Sequence, residues 1–283
     1  MSLGHQPRSL CSQAMAPKLL NKSIVIVGGT SGMGLSAALA CKEAGARLVV
    51  VGRDAESTAI ARQRLGDSVR FLIGDAVQAE TAERAVAEAV KYFGRLDALY
   101  HVAGGSGRRF GDGPLHDVTD EGVDWTLAVN LKSVILSNRA AVRQFRVQGD
   151  GGAILNMGSV LGSRPSPQYF STHVYAAAKS ALVGFTRSCA AYYAKENIRF
   201  NVIAASLVET PMSQRAAGDE TIIKFMSTKQ PLDGGRIGRP DDLDEAVLLL
   251  LGDGSKFMTG QVLAVDGGWS VSEGQIPSCD QKG

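Results

Sequence analysis

The stretch Ser-Ile-Val-Ile-Val-Gly-Gly-Thr-Ser-Gly-Met-Gly, residues 23–34, decides the fold of this chain. Residues 24–27 form an unbroken β-branched run, as expected of a strand buried on both faces of a parallel sheet. Glycines follow at positions 28, 29, 32 and 34, and a helical pattern begins near Met33. A helix that starts directly after a strand offers free backbone N–H groups to a diphosphate, and glycines let its oxygens approach closely. The stretch therefore predicts a nucleotide-binding turn rather than a plain tight turn.

Alternating strands and helices continue along the chain from this turn. The predicted strands cover residues 24–27, 47–51, 69–73, 98–102, 153–157, 199–204 and 261–265. The predicted helices cover residues 33–44, 55–65, 79–93, 120–148, 174–196 and 241–250. Such alternation predicts a parallel sheet with helices on both faces. We expect an α/β fold: a single Rossmann-type, doubly wound domain with a mostly or fully parallel seven-stranded sheet.

The composition limits the classes of partner. The chain has 283 residues, 45% of them hydrophobic, which is ample for a large core. A net charge of +2 with 20% charged residues leaves no basic stripe, so we expect no nucleic-acid partner. The longest strongly apolar run, residues 246–251, is too short to cross a bilayer, and we expect no membrane partner. Residues 1–18 have no sustained apolar stretch and are interpreted as a flexible extension without a secretory signal.

The four cysteines, at positions 11, 41, 189 and 279, are widely scattered. They form no Cys-x-x-Cys pair, and no histidine lies at metal-ligand spacing from them. This pattern favours free thiols in a reducing cytoplasm and predicts no metal site.

The glycine spacing identifies a family. Gly28, Gly32 and Gly34 are separated by four and then two residues, unlike the two-then-three spacing of the usual dinucleotide fingerprint. The pattern resembles the glycine motif of the short-chain dehydrogenase/reductase (SDR) family, apart from Val27, where the family usually has Thr. The resemblance implies that the turn binds a nicotinamide dinucleotide through Gly28, Thr30, Ser31, Gly32, Met33 and Gly34.

The second strand ends in Val51-Gly52-Arg53-Asp54, where the adenosine ribose is usually recognised. An acidic residue there favours NAD, whereas an arginine accommodates the 2′-phosphate of NADP. Glycine occupies the usual acidic position and Arg53 follows it, which resembles the NADP-preferring members of the family. The alternative is that Arg53 is a solvated residue at the entry of a helix that Asp54 caps. We favour NADP(H) over NAD(H).

The third and fourth strands end in further cofactor residues implied by the resemblance. Asp75, with Ala76 after it, stands where the family binds the adenine amino group, although an Asp after a strand can also be a simple cap. The run His101-Val102-Ala103-Gly104 replaces the usual Asn-Asn-Ala-Gly; Ala103 and Gly104 are expected to lie against the cofactor ribose. His101 is interpreted as structural rather than as an acid–base group.

Ser159 and the run Tyr175-Ala-Ala-Ala-Lys179 form the strongest functional pattern. Tyr175 and Lys179 are four residues apart and therefore share one face of a helix. A phenol, with a reference pKa of about 10, is a poor base at neutral pH, and a nearby ammonium favours its ionised form. The family resemblance implies that Tyr175 is the general acid/base, that Lys179 lowers its pKa and binds the nicotinamide ribose, and that Ser159 binds the substrate oxygen.

The same resemblance assigns two flanking features. Asn130, within an apolar segment, is expected to bond a main-chain group, bend its helix and hold a water near Lys179, the alternative being a buried structural Asn. Tyr169 and His173 mimic a site pair but are interpreted as pocket lining, since no Lys follows Tyr169 at the same spacing.

After the sixth strand, Ala205-Ser206 replaces the family's Pro-Gly. Val208 and Thr210 match the residues beside the nicotinamide carboxamide. Residues 207–238 are expected to form a substrate lid bearing apolar side chains, Met212, Phe225 and Met226. The resemblance covers residues 19–270, and residues 271–283 are taken as a C-terminal tail.

These patterns predict an NADP(H)-dependent oxidoreductase that interconverts a small secondary alcohol and a ketone, close to the 3-oxoacyl reductase and sugar dehydrogenase branch. Two alternatives stay open: a nucleotide-binding sensor or scaffold with little turnover, and an epimerase or lyase on the same fold. Two long helical stretches are apolar over more than one face, which predicts a homotetramer or homodimer.

Overall fold

A computed structural model of the protein describes residues 18–275. The expected extension over residues 1–18 lies outside this range except for Lys18, as do Cys11 and Cys279. Of the expected tail, residues 271–275 are described.

The sheet has seven strands, all parallel, in the order β3-β2-β1-β4-β5-β6-β7. The strands are β1 Ser23–Val27, β2 Arg47–Gly52, β3 Arg70–Ile73, β4 Ala98–His101, β5 Gly152–Ser159, β6 Ile198–Ala205 and β7 Val262–Val265. The predicted fold is confirmed, and every predicted strand is present with its ends shifted by at most two residues.

The described α-helices are α1 Gly32–Glu43, α2 Ala55–Leu65, α3 Ala79–Phe93, α4 Asp120–Leu127, α5 Ser133–Gln148, α6 His173–Tyr193, α7 Gln214–Ala217, α8 Glu220–Lys229 and α9 Asp244–Leu251. The helix predicted over residues 120–148 is continuous but contains a π-helical segment, Ala128–Lys132, between α4 and α5. A π-helical segment widens the helix and marks a functional position in many proteins.

Two apolar cores lie on the two faces of the sheet, because alternate strand residues point in opposite directions. Ile24 and Ile26 of β1 pack in the core covered by α1, α2 and α9. Val25 and Val27 pack in the core covered by α3, α5 and α6. This double covering explains the unbroken apolar runs of the central strands, such as β1, whose five residues are all buried.

The order of the strands reverses between β1 and β4, which opens a crevice at their carboxyl ends. Val27 and His101, the last residues of these two strands, are paired in register. The glycine turn and the segment after β4 therefore begin side by side, so the fold brings the two parts of the predicted cofactor site together.

Three further observations concern the described residues. Between residues 18 and 275, no helix is long and apolar enough to span a membrane. No group of three or more His, Cys, Asp or Glu side chains in that range could hold a metal ion. Cys41 and Cys189 are free thiols.

Candidate active site

The glycine turn presents backbone N–H groups at the crevice. Gly28 has a φ of +91°, and a Cβ there would lie 2.5 Å from the backbone nitrogen of Ala103, so only glycine fits. α1 then begins at Gly32, and the side chain of Ser31 accepts no capping hydrogen bond from the helix. No acidic residue lies in its first turn. The positive end of α1 is thus left for an anion, which fits a cofactor diphosphate.

The carboxyl end of β2 and the start of α2 place several polar side chains beside the glycine turn. A Cβ on Gly52 would lie 2.4 Å from Cγ2 of Thr30, so the bulk of Thr30 explains this glycine. The Thr30 hydroxyl lies 3.1 Å from that of Ser57. Asp54 caps α2, accepting hydrogen bonds from the amide and hydroxyl of Ser57. Arg53 is exposed and makes no ion pair with any described residue.

The carboxylate of Asp54 is already engaged in its cap. The hydrogen bonds from Ser57 lower the pKa of this carboxyl, and Arg53 acts in the same direction. The alternative to NADP binding was that Asp54 caps α2 and that Arg53 is solvated, and both features are present in the structure. The guanidinium of Arg53 nevertheless stays open to a phosphate.

Asp75 follows β3 and is exposed, with its Oδ1 accepting a hydrogen bond from the amide of Val77. Ala76, next to it, packs against the core on that face of the sheet. The second oxygen of the Asp75 carboxylate points to no described donor, so this residue combines a local turn with a group open to solvent.

Asn130 lies in the π-helical segment and is fully buried. Its side-chain amide donates to the Gly105 carbonyl at 2.8 Å and to the Thr126 carbonyl at 3.0 Å. Its Oδ1 accepts from the Gly105 amide at 3.1 Å. Asn130 thus holds both backbone groups of Gly105, which agrees with the expected main-chain bonding and helix distortion.

Gly104 is a point where the two halves of the site meet. A Cβ there would lie 3.0 Å from Oδ1 of Asn130 and 3.5 Å from Nζ of Lys179. Asn130 and Lys179 therefore border the same small space beside Gly104. A side chain at position 104 would fill this space.

Ser159, Tyr175 and Lys179 come together at the carboxyl end of β5. The hydroxyl of Ser159 lies near that of Tyr175 and lowers the pKa of the phenol. The ammonium of Lys179 lies 5.6 Å from the centre of the Tyr175 ring and donates to the Met157 carbonyl at 2.8 Å. Ser159 also accepts from the Leu161 amide at 3.2 Å. The helical spacing of Tyr and Lys is therefore complemented by a serine from the neighbouring strand.

Burial dominates the electrostatics of these groups. Desolvation lowers the pKa of Lys179 to about 8. Burial raises the pKa of Tyr175, and the nearby Ser159 side chain opposes this shift without reversing it. The expected lowering of the Tyr175 pKa by Lys179 is thus not the net effect here, because the cost of burying a phenolate is larger.

His101 is a buried residue at the end of β4. It is 1% exposed, and its ring nitrogens lie 2.7 Å from the Ser137 hydroxyl and 3.2 Å from that of Ser133. Burial, with a smaller contribution from the charge of Lys179, lowers its pKa to about 3. The imidazole is therefore neutral near pH 7, and its hydrogen bonds connect β4 to α5.

The segment after β6 closes over the glycine turn. A Cβ on Gly32 would lie 3.1 Å from Cγ2 of Thr210, so the two expected cofactor contacts face each other. Val208 is buried and forms a parallel bridge with Gly238, which joins the two ends of residues 207–238. The chain thus leaves and re-enters the body of the protein at one place.

Several apolar side chains of this segment are buried in an apolar cluster shared with residues outside it. Phe225 and Met226 are buried with Ile222, Ala216 and Trp269, whereas Met212 is 51% exposed. Tyr169 packs against Phe225 with ring centres 5.0 Å apart. Of the three apolar residues named from the sequence, two hold the segment together, and Tyr169 belongs to the same aromatic packing.

Two residues that hold the site together were missed by the sequence analysis. Asp112 is a buried carboxylate that accepts hydrogen bonds from the first amides of α6. Gln230, 1% exposed, accepts from the Leu207 amide at 2.9 Å and ties α8 to the base of the segment after β6. Neither residue belongs to a local sequence motif. Each is a polar residue that becomes buried only through tertiary contacts, so nothing in the sequence singles it out.

Comparisons with known proteins agree with this geometry. A family model described as enoyl-(acyl carrier protein) reductase matches residues 27–270. The chain is 33% identical over 264 residues to 2-(S)-hydroxypropyl-CoM dehydrogenase 3 of Xanthobacter autotrophicus, covering 91% of this chain and 100% of the relative. It is 31% identical to the 3-oxoacyl-[acyl-carrier-protein] reductase FabG of Chlamydia trachomatis, over 90% of this chain and 99% of that protein.

Among solved structures, a short-chain type dehydrogenase/reductase from Mycobacterium ulcerans superposes with a TM-score of 0.83 at 27% identity. The match covers 90% of this chain and 92% of that one. Together with the parallel sheet, the glycine turn and the Ser–Tyr–Lys arrangement, these matches show that the chain belongs to the short-chain dehydrogenase/reductase family of NAD(P)-dependent oxidoreductases, which act on CH–OH groups.

Proposed function

We propose that the protein transfers hydride between NADP(H) and a small secondary alcohol or ketone, with Tyr175 as general acid/base. The observation that carries this proposal is that Ser159, Tyr175 and Lys179 meet at the carboxyl end of β5. The ammonium of Lys179 lies 5.6 Å from the centre of the phenol ring and donates to the Met157 carbonyl. A proton donor, a second hydroxyl and a buried cation thus converge at the carboxyl edge of the sheet.

The residues of the crevice fit the cofactor. The free amides of α1 suit the diphosphate, Gly104 leaves room for the ribose beside Lys179, and Thr210 closes over Gly32. Gly28, Ser31, Met33 and Gly34 would line the diphosphate, while Ala103 and Val208 would line the ribose and nicotinamide. Bound NADP(H) would supply or accept the hydride.

Side chains of the protein would transfer the proton that accompanies the hydride. The Tyr175 hydroxyl is positioned to donate to the oxygen of a ketone as negative charge develops there, and to accept a proton in the reverse direction. Ser159 can hydrogen-bond the same oxygen, and Lys179 stabilises the phenolate that remains. Asn130 holds the segment after β4, against which the reacting groups must align.

Three features support NADP(H) over NAD(H). Arg53 is exposed and open to a phosphate, and the hydroxyls of Thr30 and Ser57 lie 3.1 Å apart beside it. Asp54, the acidic residue that could bind ribose hydroxyls instead, is engaged with Ser57. Asp75 is proposed to bind the adenine amino group through its exposed carboxylate, with Ala76 packing beside it.

The proposed organisation is one domain over residues 19–270, between an N-terminal extension and a C-terminal tail. Residues 207–238 are proposed as a substrate lid, supported by the bridge between Val208 and Gly238 at its base. Free thiols at Cys41 and Cys189 support a cytoplasmic location.

We also propose a homotetramer or homodimer. On α4 to α6, Leu127, Ile135 and Tyr192 are 36%, 38% and 63% exposed. Burying such a surface against a second copy would be favourable. Light scattering at micromolar concentration measures the mass, and a monomer would contradict this proposal.

A panel of ketones and secondary alcohols, followed by nicotinamide absorbance with both cofactors, tests the activity. With its best substrate, Tyr175→Phe should lower turnover by about 10²–10⁴-fold while NADPH binding survives, since the ring remains but its transferable proton is lost. Tyr169→Phe is the matched control and should change turnover little. Near-parental turnover of Tyr175→Phe would refute the assignment, and NADPH binding without turnover across the panel would favour the sensor alternative.

A further inference from the structure

The start of α6, the helix that carries Tyr175, is held by a carboxylate from a distant loop. One oxygen of Asp112 accepts a hydrogen bond from the Val174 amide at 3.0 Å, and the other accepts from the Tyr175 amide at 2.9 Å. The His173 amide bonds the Gly113 carbonyl at 3.3 Å. Thr172, which precedes the helix, caps none of these groups with its side chain. The first three amides of α6 are therefore all taken by residues 112–113.

This contact requires a carboxylate. Asp112 is 2% exposed, so both of its oxygens depend on protein partners. The first amides of a helix have no partner within it, and a negative charge beside them is favourable. An Asn side chain would offer one acceptor to Val174 or Tyr175 and turn its NH₂ group against the other amide. The second amide would then be buried without a partner, which is costly.

The loop that carries Asp112 is itself fixed to the other side of the site. The Asp112 amide bonds the Gly107 carbonyl at 3.1 Å. Phe110 stacks on Trp125 with ring centres 4.3 Å apart, and Trp125 also packs against Gly105. Gly105 is the residue held by Asn130. A single loop, residues 105–113, thus runs from the Asn130 contact to the backbone of Tyr175.

We propose that Asp112 is the positioning residue for Tyr175, setting the phenol against Ser159 through the helix backbone and linking its place to that of Asn130. This inference rests on the proposed catalytic role of Tyr175. Asp112 does not touch the reacting atoms, and its effect is on the alignment of the proton donor. A displacement of about 1 Å at a reacting group can cost about 10²-fold in rate.

The test compares Asp112→Asn with Asp266→Asn in the full chain. Asp266 is a matched control because its two oxygens also accept from two backbone amides, those of Gly268 and Ser270, at 2.9 Å each. Three readouts are measured: kcat and KM with the best ketone of the panel, NADPH affinity by fluorescence, and amide hydrogen exchange at Val174 and Tyr175.

Asp112→Asn should lower kcat by about 10- to 100-fold, with KM and NADPH affinity changed by less than about threefold, because alignment and not binding is lost. Exchange at Val174 and Tyr175 should become faster, whereas Asp266→Asn should leave kcat and this exchange as in the parent. Parental kcat or unchanged exchange at the two amides in Asp112→Asn overturns the inference. If that variant does not fold, rapid exchange of the same amides in the parent protein overturns it.

Tyr175→Phe, run beside these variants, separates the two proposals. If Tyr175→Phe is inactive while Asp112→Asn turns over normally, the positioning role fails and the catalytic assignment stands. If Tyr175→Phe keeps its turnover, the catalytic assignment fails, and the positioning role fails with it.

Discussion

The ammonium of Lys179 donates a hydrogen bond of 2.8 Å to the backbone carbonyl of Met157. This bond ties α6, which carries Tyr175, to β5, which ends at Ser159. The same ammonium is almost fully buried, and desolvation lowers its pKa to about 8. Lys179 therefore joins the two elements of the site at an electrostatic cost to the folded state.

That cost makes stability depend on pH in a way that Lys179→Met should remove. The pKa of Lys179 is lower in the folded chain than the ordinary lysine value of 10.5, so the unfolded chain binds the proton more tightly. Stability of the parent should therefore rise, relative to the variant, as pH rises through about 8 to 10.5. The expected gain is on the order of 3 kcal/mol, from about 1.4 kcal/mol for each unit of pKa difference.

Urea unfolding of both cofactor-free proteins across this pH range measures the difference. A constant difference between parent and variant would contradict the prediction. Turnover and NADPH binding should both fall in Lys179→Met, because the ammonium serves the ribose and the phenol together.

Arg53→Ala should remove most of the preference for NADPH over NADH. A hydrogen bond to a charged group contributes about 1.5–3 kcal/mol, which corresponds to a loss of about 10- to 100-fold in NADPH affinity. Binding of NADH should change little. Fluorescence titration with both cofactors measures this, with Arg64→Ala, an exposed arginine on α2, as the control. If the parent binds NADH at least as tightly as NADPH, the role of Asp54 has been misjudged.

His101→Asn should lower stability and leave the pH profile of turnover unchanged. The neutral ring bonds Ser133 and Ser137, and a shorter side chain leaves at least one of these buried hydroxyls with one partner fewer. The expected loss is about 1–3 kcal/mol in the free energy of unfolding. His173→Asn, at an exposed position, is the control. Loss of a pH-dependent limb between about pH 6 and 7 in His101→Asn would instead identify this histidine as an acid–base group.

Asp244→Asn should stabilise the protein at pH 7 and have little effect near pH 4. The pKa of Asp244 is raised to about 6. Burial is the largest cause, the charges of Asp241, Glu245 and Glu43 act in the same direction, and a hydrogen bond from Ser36 opposes them. The folded chain binds this proton more tightly than the unfolded chain, so stability falls as pH rises from about 4 to 6.

The substitution removes this charge. We expect a gain of about 1–2 kcal/mol at pH 7 in urea unfolding, less than the full pKa shift implies, because the carboxyl is half-buried and water screens its charge. Asp241→Asn, which changes an exposed carboxylate on the same turn, should gain much less. Equal stability of Asp244→Asn and the parent at pH 7 would contradict the prediction, because it would show that the ionised carboxylate does not destabilise the fold.

The sequence alone determined the parallel sheet, the place of the glycine turn and the spacing of Tyr175 and Lys179. These features depend on local periodicity: β-branched runs form buried strands, and residues four apart share a helix face. That Asn130, Ser159 and Tyr175 belong to one site was implied by the resemblance to the short-chain dehydrogenase/reductase family, since only Ser159 of the three ends a strand.

The tertiary structure decided how those residues are held and charged. Asp112 lies 62 residues from Val174, and no local pattern relates the two. Burial raises the pKa of Tyr175, although a nearby lysine alone predicts the opposite. Phe225 and Met226 are buried in an apolar cluster that also contains Val160, Ala204 and Trp269 from outside their segment. The hydrogen-bond partners, the pKa and the burial of these side chains all depend on which residues, distant in sequence, surround them and exclude water. Those neighbours are determined only by the tertiary structure.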